Sequence, residues 1–143
     1  MDKKEIEKVL PQRAPMLMVD DVLEIEDGKR VFAYKKIKED EVWVKGHFPG
    51  NPIFPGVLLI EHMAQASLFL AQQENKGIFK NVYLAKVEEV TFRVPVTPGM
   101  ELFTEIKKEL ETGNYICVSA VVYLDKEKKK KAAKGKLTCF VEV

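Results

Sequence analysis

The sequence predicts an α+β fold, one long helix lying on an antiparallel sheet, and three observations carry it. Residues from Val57 to about Asn75 read as a single helix whose first two-thirds are apolar on nearly every side. A helix apolar all round is a buried one. Before it stands a hairpin signal, Asp27-Gly28 between two apolar runs. After it come strand-like runs separated by turn residues. That order puts one helix against one antiparallel sheet.

Taken along the chain, residues 2–9 predict a short helix, with Asp2 as N-cap and Glu5 three residues on. It ends near Leu10-Pro11. Met16 to Ile37 is strand-like, and Met16 and Met18 are read as core. Asp27-Gly28 separates Val22–Ile25 from Val31–Tyr34 as a hairpin turn. Residues 46–56 hold three prolines and three glycines, which forbid both helix and regular strand. The long helix follows Pro55-Gly56 and stops before Gly77, a C-terminal cap. At about 19 residues it is roughly 30 Å long. Val82–Phe92, Leu102–Glu109, Tyr115–Leu124 and Leu137–Val143 read as strands. Pro95–Gly99, the turn Glu111–Asn114 and a polar loop separate them. The run Lys126–Lys131 is read as a solvated hairpin loop, and Trp43 as packing.

A chain of 143 residues with no internal repeat or linker is one domain, residues 1–143. With 46% hydrophobic and 31% charged residues it is not a disordered chain. Its 23 basic and 22 acidic residues leave a formal charge of +1, which argues against a nucleic-acid partner. Cys117 and Cys139 make neither a disulfide scaffold nor a zinc motif and read as small buried hydrophobes. No apolar segment near Met1 resembles a secretory signal, and no run reaches a membrane span. The expected compartment is the cytoplasm. No phosphate-binding glycine loop and no metal-ligand spacing appears, so neither metal nor cofactor is expected.

Two polar residues are out of place in a purely structural reading. Glu61 lies in the apolar part of the helix among Leu59, Ile60, Met63 and Ala64. A carboxylate there must be hydrogen-bonded, hold its proton or reach solvent, and Gln65 lies one turn on to supply a bond. Its neighbour His62 points about 100° away and reads as a partly exposed histidine. The second residue is His47, in a Gly/Pro-rich loop held to a defined path. That loop ends at the helix start, where the amides of Gly56 and Val57 are orphan donors with partial positive charge. A histidine, a poorly solvated carboxylate and free amide donors are the parts that proton abstraction beside a carbonyl requires.

The stretch Gly46-His47-Phe48-Pro49-Gly50-Asn51-Pro52-Ile53-Phe54-Pro55-Gly56-Val57-Leu58, with Glu61 and Met63-Ala64-Gln65, closely resembles a known signature. It is that of the 3-hydroxyacyl-[acyl-carrier-protein] dehydratases of bacterial type II fatty acid synthesis, FabZ type. Two flanking motifs agree, Leu10–Asp20 and Phe92–Gly99, and the resemblance runs from about residue 9 to 142. One departure is Gln12, where the family usually has histidine. The resemblance implies a hot-dog fold, a catalytic His47 and Glu61, and an oxyanion donor at Gly56, with Val57 beside it. It places an acyl-tunnel gate at Tyr83, with the tunnel near Leu68 and Phe69. Glutamate at position 61, where the sister dehydratase–isomerases carry aspartate, favours dehydration without isomerisation. The implied partners are acyl carrier protein and a second copy, as a homodimer or a trimer of dimers, with His47 of one chain facing Glu61 of the other. The implied reaction is dehydration of a (3R)-3-hydroxyacyl thioester to the trans-2-enoyl thioester. Two rivals remain: a hot-dog acyl thioesterase, and a non-enzymatic acyl-binding regulatory domain.

Overall fold

The computed structural model describes residues 1–71 and 79–142. Helix α1 spans Lys3–Val9. The Asp2 carboxylate accepts from the Glu5 amide at 2.9 Å, and the Glu5 carboxylate accepts from the Asp2 amide at 2.8 Å. This reciprocal pair is the predicted cap. The Arg13 guanidinium donates to the Glu7 and Leu10 carbonyls and closes the other end of α1. Strands β1 (Asp21–Glu26) and β2 (Arg30–Lys36) form the hairpin, with Gly28 in its turn at a φ of 70°.

Helix α2 begins at Gly56 and is described to Ala71. Strands β3 (Asn81–Phe92), β4 (Glu101–Thr112), β5 (Tyr115–Tyr123) and β6 (Lys131–Glu142) complete one antiparallel sheet, in the order β1-β2-β4-β5-β6-β3. Leu102, Thr104 and Ile106 of β4 are buried, as are Ile116, Val118 and Ala120 of β5. They alternate with more open neighbours, the period-two pattern of a sheet with one covered face. The sheet wraps α2 along β2, β4, β5 and β6. Ile6, Leu10, Met18 and Val19 join the same core, so the N-terminal segment adds cover to α2. Among the described residues no helix is long and apolar enough to cross a membrane.

Three expectations need revision. Strand β6 begins at Lys131, not near Leu137. Its first buried residues are Ala132, Ala133 and Gly135, too small to show as a hydrophobic alternation. Gly135 is required there, because a Cβ would lie 2.6 Å from Val90 Cγ2. Val90 belongs to a bulge in β3 between Glu88 and Thr91, where Glu89 takes a φ of 51°. Strand β4 runs on to Thr112, past the predicted end at Glu109. Met16 is 46% exposed and is not core, although Met18 is. Lys126–Lys130 form the expected hairpin loop, gathered by the Asp125 carboxylate, which accepts from the Lys129 and Lys130 amides. The predicted end of α2 near Asn75 and its Gly77 cap lie outside the described residues.

Candidate active site

The three motif blocks meet around the first half of α2. The loop from Gly46 to Pro55 has neither helix nor strand, as its prolines require. Phe48 and Asn51 exchange backbone hydrogen bonds at 3.1 and 2.8 Å across Pro49-Gly50. Gly50 takes a φ of 73°, the left-handed conformation that the third position of such a turn needs. The His47–Phe48 peptide is cis, as is Ala14–Pro15. The loop is tied at both ends: the His47 amide donates to the Trp43 carbonyl at 3.0 Å, and the Phe54 amide to the Val96 carbonyl at 2.7 Å. Val96 belongs to the second flanking motif.

His47 Nδ1 lies 2.8 Å from the Ile53 carbonyl oxygen. A carbonyl only accepts, so this bond needs the proton on Nδ1, and in the neutral ring it is Nε2 that carries the lone pair. The ring stacks on Phe48 with centroids 4.1 Å apart. The imidazole is therefore oriented and half-buried, and among the described residues Nε2 makes no hydrogen bond.

At the start of α2 the Leu58 and Leu59 amides both turn back to the Pro55 carbonyl. Among the described residues the amides of Gly56 and Val57 have no acceptor. They form a small donor pair with the helix dipole behind it. Val57 is 73% exposed, and the ring of Phe92 lies 3.0 Å from where a Gly56 Cβ would stand.

One turn on, Glu61 is half-buried and accepts from Gln65 Nε2 at 2.9 Å. Gln65 is fully buried. Its Oε1 accepts from the Met18 amide at 2.7 Å, and its Nε2 also donates to the Met16 carbonyl at 2.8 Å. These bonds fix which end of the amide faces Glu61. The first flanking motif thus reaches Glu61 through Gln65. Gln12 Oε1, at the position departing from the usual motif, is buried with no hydrogen-bond partner among the described residues.

His62 is not partly exposed, as its position beside Glu61 suggests, but completely buried. Its Nδ1 donates to the Met18 carbonyl at 2.7 Å, and its Nε2 accepts from the Thr104 hydroxyl at 2.7 Å. Burial pulls its pKa from 6.5 down to about 4; the Met18 bond opposes this and the Lys35 charge adds to it. It is a neutral connector between α2, β4 and the N-terminal segment. The signal for it was present: Leu59, His62, Met63 and Ala66 share one helical stripe, and the other three are core residues.

Within one chain His47 and Glu61 make no hydrogen bond or ion pair with each other, and each is held by its own partners. Tyr83 stands opposite Phe140, on the sheet face turned away from α2, and stacks on its ring at 4.9 Å. Leu68 and Phe69 lie in the core on the other side of the sheet. A cavity of about 680 Å³ opens beside α2, lined in part by Met16, Met18, Lys35, Trp43 and Leu58, but neither His47 nor Glu61 borders it.

The FabA-like domain family matches residues 10–133. A Campylobacter fetus protein named 3-hydroxyacyl-[acyl-carrier-protein] dehydratase FabZ is 41% identical over 131 residues, covering 87% of this chain and 88% of its own. One of the same name from Aromatoleum aromaticum is 39% identical, covering 99% and 98%. Among solved structures, the dehydratase heterocomplex ApeI:P from Xenorhabdus doucetiae aligns with a TM-score of 0.82 at 20% identity, over 96% of this chain and 91% of that one. A hypothetical thioesterase from Streptococcus pneumoniae aligns with a TM-score of 0.61 at 11% identity, over 85% and 84%. At these identities the structural likeness concerns the fold alone, an antiparallel sheet wrapped on one helix, the hot-dog fold. By sequence the chain belongs to the FabZ family of 3-hydroxyacyl-[acyl-carrier-protein] dehydratases.

Proposed function

We propose that this protein removes water from a (3R)-3-hydroxyacyl thioester on acyl carrier protein, giving the trans-2-enoyl thioester, with His47 and Glu61 moving the protons. The observation that carries the reading is the Nδ1–H bond from His47 to the Ile53 carbonyl. In a chain of this family it reserves Nε2 for the reacting proton, as the base. Nε2 takes a proton from C2. The thioester oxygen gains charge and is held by the Gly56 and Val57 amides. Glu61 gives a proton to the C3 hydroxyl, the C–O bond breaks, and water leaves as the C2–C3 double bond forms. Passing the C2 proton from His47 to Glu61 resets the pair. Every atom is accounted for without a cofactor.

The site is completed by a second copy of the chain. Edge strand β3 supports this: Val82, Leu84, Val87 and Phe92 stand on the α2 side of the sheet, and the last three are 38–48% exposed. A partner seated there would bring its His47 to this chain's Glu61, in a homodimer or a trimer of such dimers. We place the protein in the cytoplasm as one domain.

The test is purified protein with a short 3-hydroxyacyl or enoyl thioester, following enoyl absorbance and free thiol together. Enoyl absorbance changing with no thiol release supports dehydration. Thiol release makes the protein a thioesterase, and no turnover leaves an acyl-binding domain.

A further inference from the structure

We propose that the buried Lys35–Glu41 ion pair is a positioning element for the His47 loop. It holds Trp43 and Phe54, the two residues between which the loop is slung, and so keeps the imidazole in its single reactive tautomer. The proposal rests on the dehydratase reading for its kinetic consequence, but not for its geometry.

Lys35 stands on β2 opposite Leu102, on the sheet face that packs against α2. It is only 5% exposed, an unusual place for an ammonium group. Its Nζ lies 3.2 Å from Glu41 Oε1 and 5.9 Å from the centre of the Phe54 ring. Glu41 spends both oxygens locally: Oε1 also accepts from the Trp43 indole at 3.1 Å, and Oε2 accepts from the Lys38 amide at 2.6 Å. The Trp43 ring meets Phe54 edge-on with centroids 5.2 Å apart. Lysine, glutamate, tryptophan and phenylalanine thus form one closed cluster.

The two aromatic members are the anchors of the loop. The Trp43 carbonyl accepts from the His47 amide, which sets where the residue starts. Phe54 directly follows Ile53, whose carbonyl takes the Nδ1 proton of His47. A shift of either anchor changes the distance between His47 Nδ1 and its acceptor. Small errors of that kind are costly where a base must meet one carbon-bound proton. A fully packed apolar cluster would hold the fold as well, and a buried ion pair is often replaceable without loss of stability. What the pair adds is direction, because Glu41 reaches three donors at fixed angles.

Four variants read this. Lys35→Met with Glu41→Gln removes both charges together and leaves neither orphaned. Trp43→Phe keeps the ring on Phe54 and deletes only the indole bond. Lys35→Arg keeps the pair. Lys38→Ala is the control, because only its backbone amide is used. The chain has two histidines, so ¹⁵N-histidine labelling gives two imidazoles, and His62 reports an intact core. In the wild type and in Lys35→Arg, His47 is expected as the single Nδ1–H tautomer. In the double variant the His47 signals should move to a tautomer mixture while those of His62 keep their pattern, and kcat should fall about 10- to 100-fold with KM within about threefold. Trp43→Phe should show the same changes at a smaller size, with kcat down at least about threefold. An unchanged His47 tautomer and kcat in any folded variant that breaks the cluster overturns the proposal. If the double variant does not fold, Trp43→Phe decides alone. A wild type without dehydratase activity would remove the kinetic arm and sink the function above, while the imidazole spectra would still judge the strut.

Discussion

His47 and Glu61 are held in different ways, and their substitutions should report different losses. His47→Ala deletes the base and should lower turnover at least about 10²-fold. Glu61→Gln keeps the shape and leaves Gln65 an acceptor, so the fold should be unchanged while turnover falls comparably. Either variant keeping more than about a tenth of wild-type turnover would remove that residue from proton transfer. His62 gives a prediction about pH. Its pKa is about 4 in the fold against 6.5 in the free side chain, so the unfolded chain binds the extra proton between those values. Stability is then full above pH 6.5 and falls as pH drops toward 4, by about 3 kcal/mol. Denaturant unfolding across that window should show the slope, and His62→Gln should flatten it. An equal slope in the variant would assign the acid sensitivity to other groups.

Strand β6 is where an element depends on one small residue. Gly135 lies under the β3 bulge, and the Cβ of alanine would meet Val90 at 2.6 Å, with the Val90 Cα at 3.3 Å. Gly135→Ala should destabilise by about 1–3 kcal/mol, because the bulge must shift and take β3 pairing with it. Adding Val90→Ala removes the closest contact and should restore part of the loss. Equal stabilities of the single and double variants, measured by urea unfolding, would show that the strain lies elsewhere. The same bulge turns the edge strand that we assign to the partner contact, so Gly135→Ala should also weaken the dimer.

At the scale of the whole molecule, a single chain carries both candidate groups without bringing them together. Complementation tests the shared site. His47→Ala and Glu61→Gln subunits, inactive alone, are mixed and allowed to exchange. A mixed dimer then has one doubly damaged site and one intact site. With roughly half the dimers mixed, about a quarter of wild-type activity should return. Proven exchange with no recovery would place both residues of each site in one chain.

The amino-acid sequence by itself determined the element order, the α1 cap, the hairpin turn and the irregular loop, because each rests on local chemistry. Asp2 and Glu5 are three residues apart, and no partner elsewhere is needed for them to cap. Prolines and glycines act within their own turn. The chemistry of the candidate site was legible as residue types too, His47, Glu61 and the amides of Gly56 and Val57, and Gln65 was read correctly as the partner of Glu61. What only the tertiary structure decided is everything set by distant contact. Met18 and Thr104 make His62 a buried neutral link, though nothing beside it in the chain says so. Val90 dictates glycine at 135 from 45 residues away. The length of β6 was hidden because small residues under a bulge carry no hydrophobic signal. The inward turn of Lys35 and its pairing with Glu41 came only with the strand register and the path of the following loop. Local propensity is read from neighbours in sequence, but burial and orientation depend on neighbours in space.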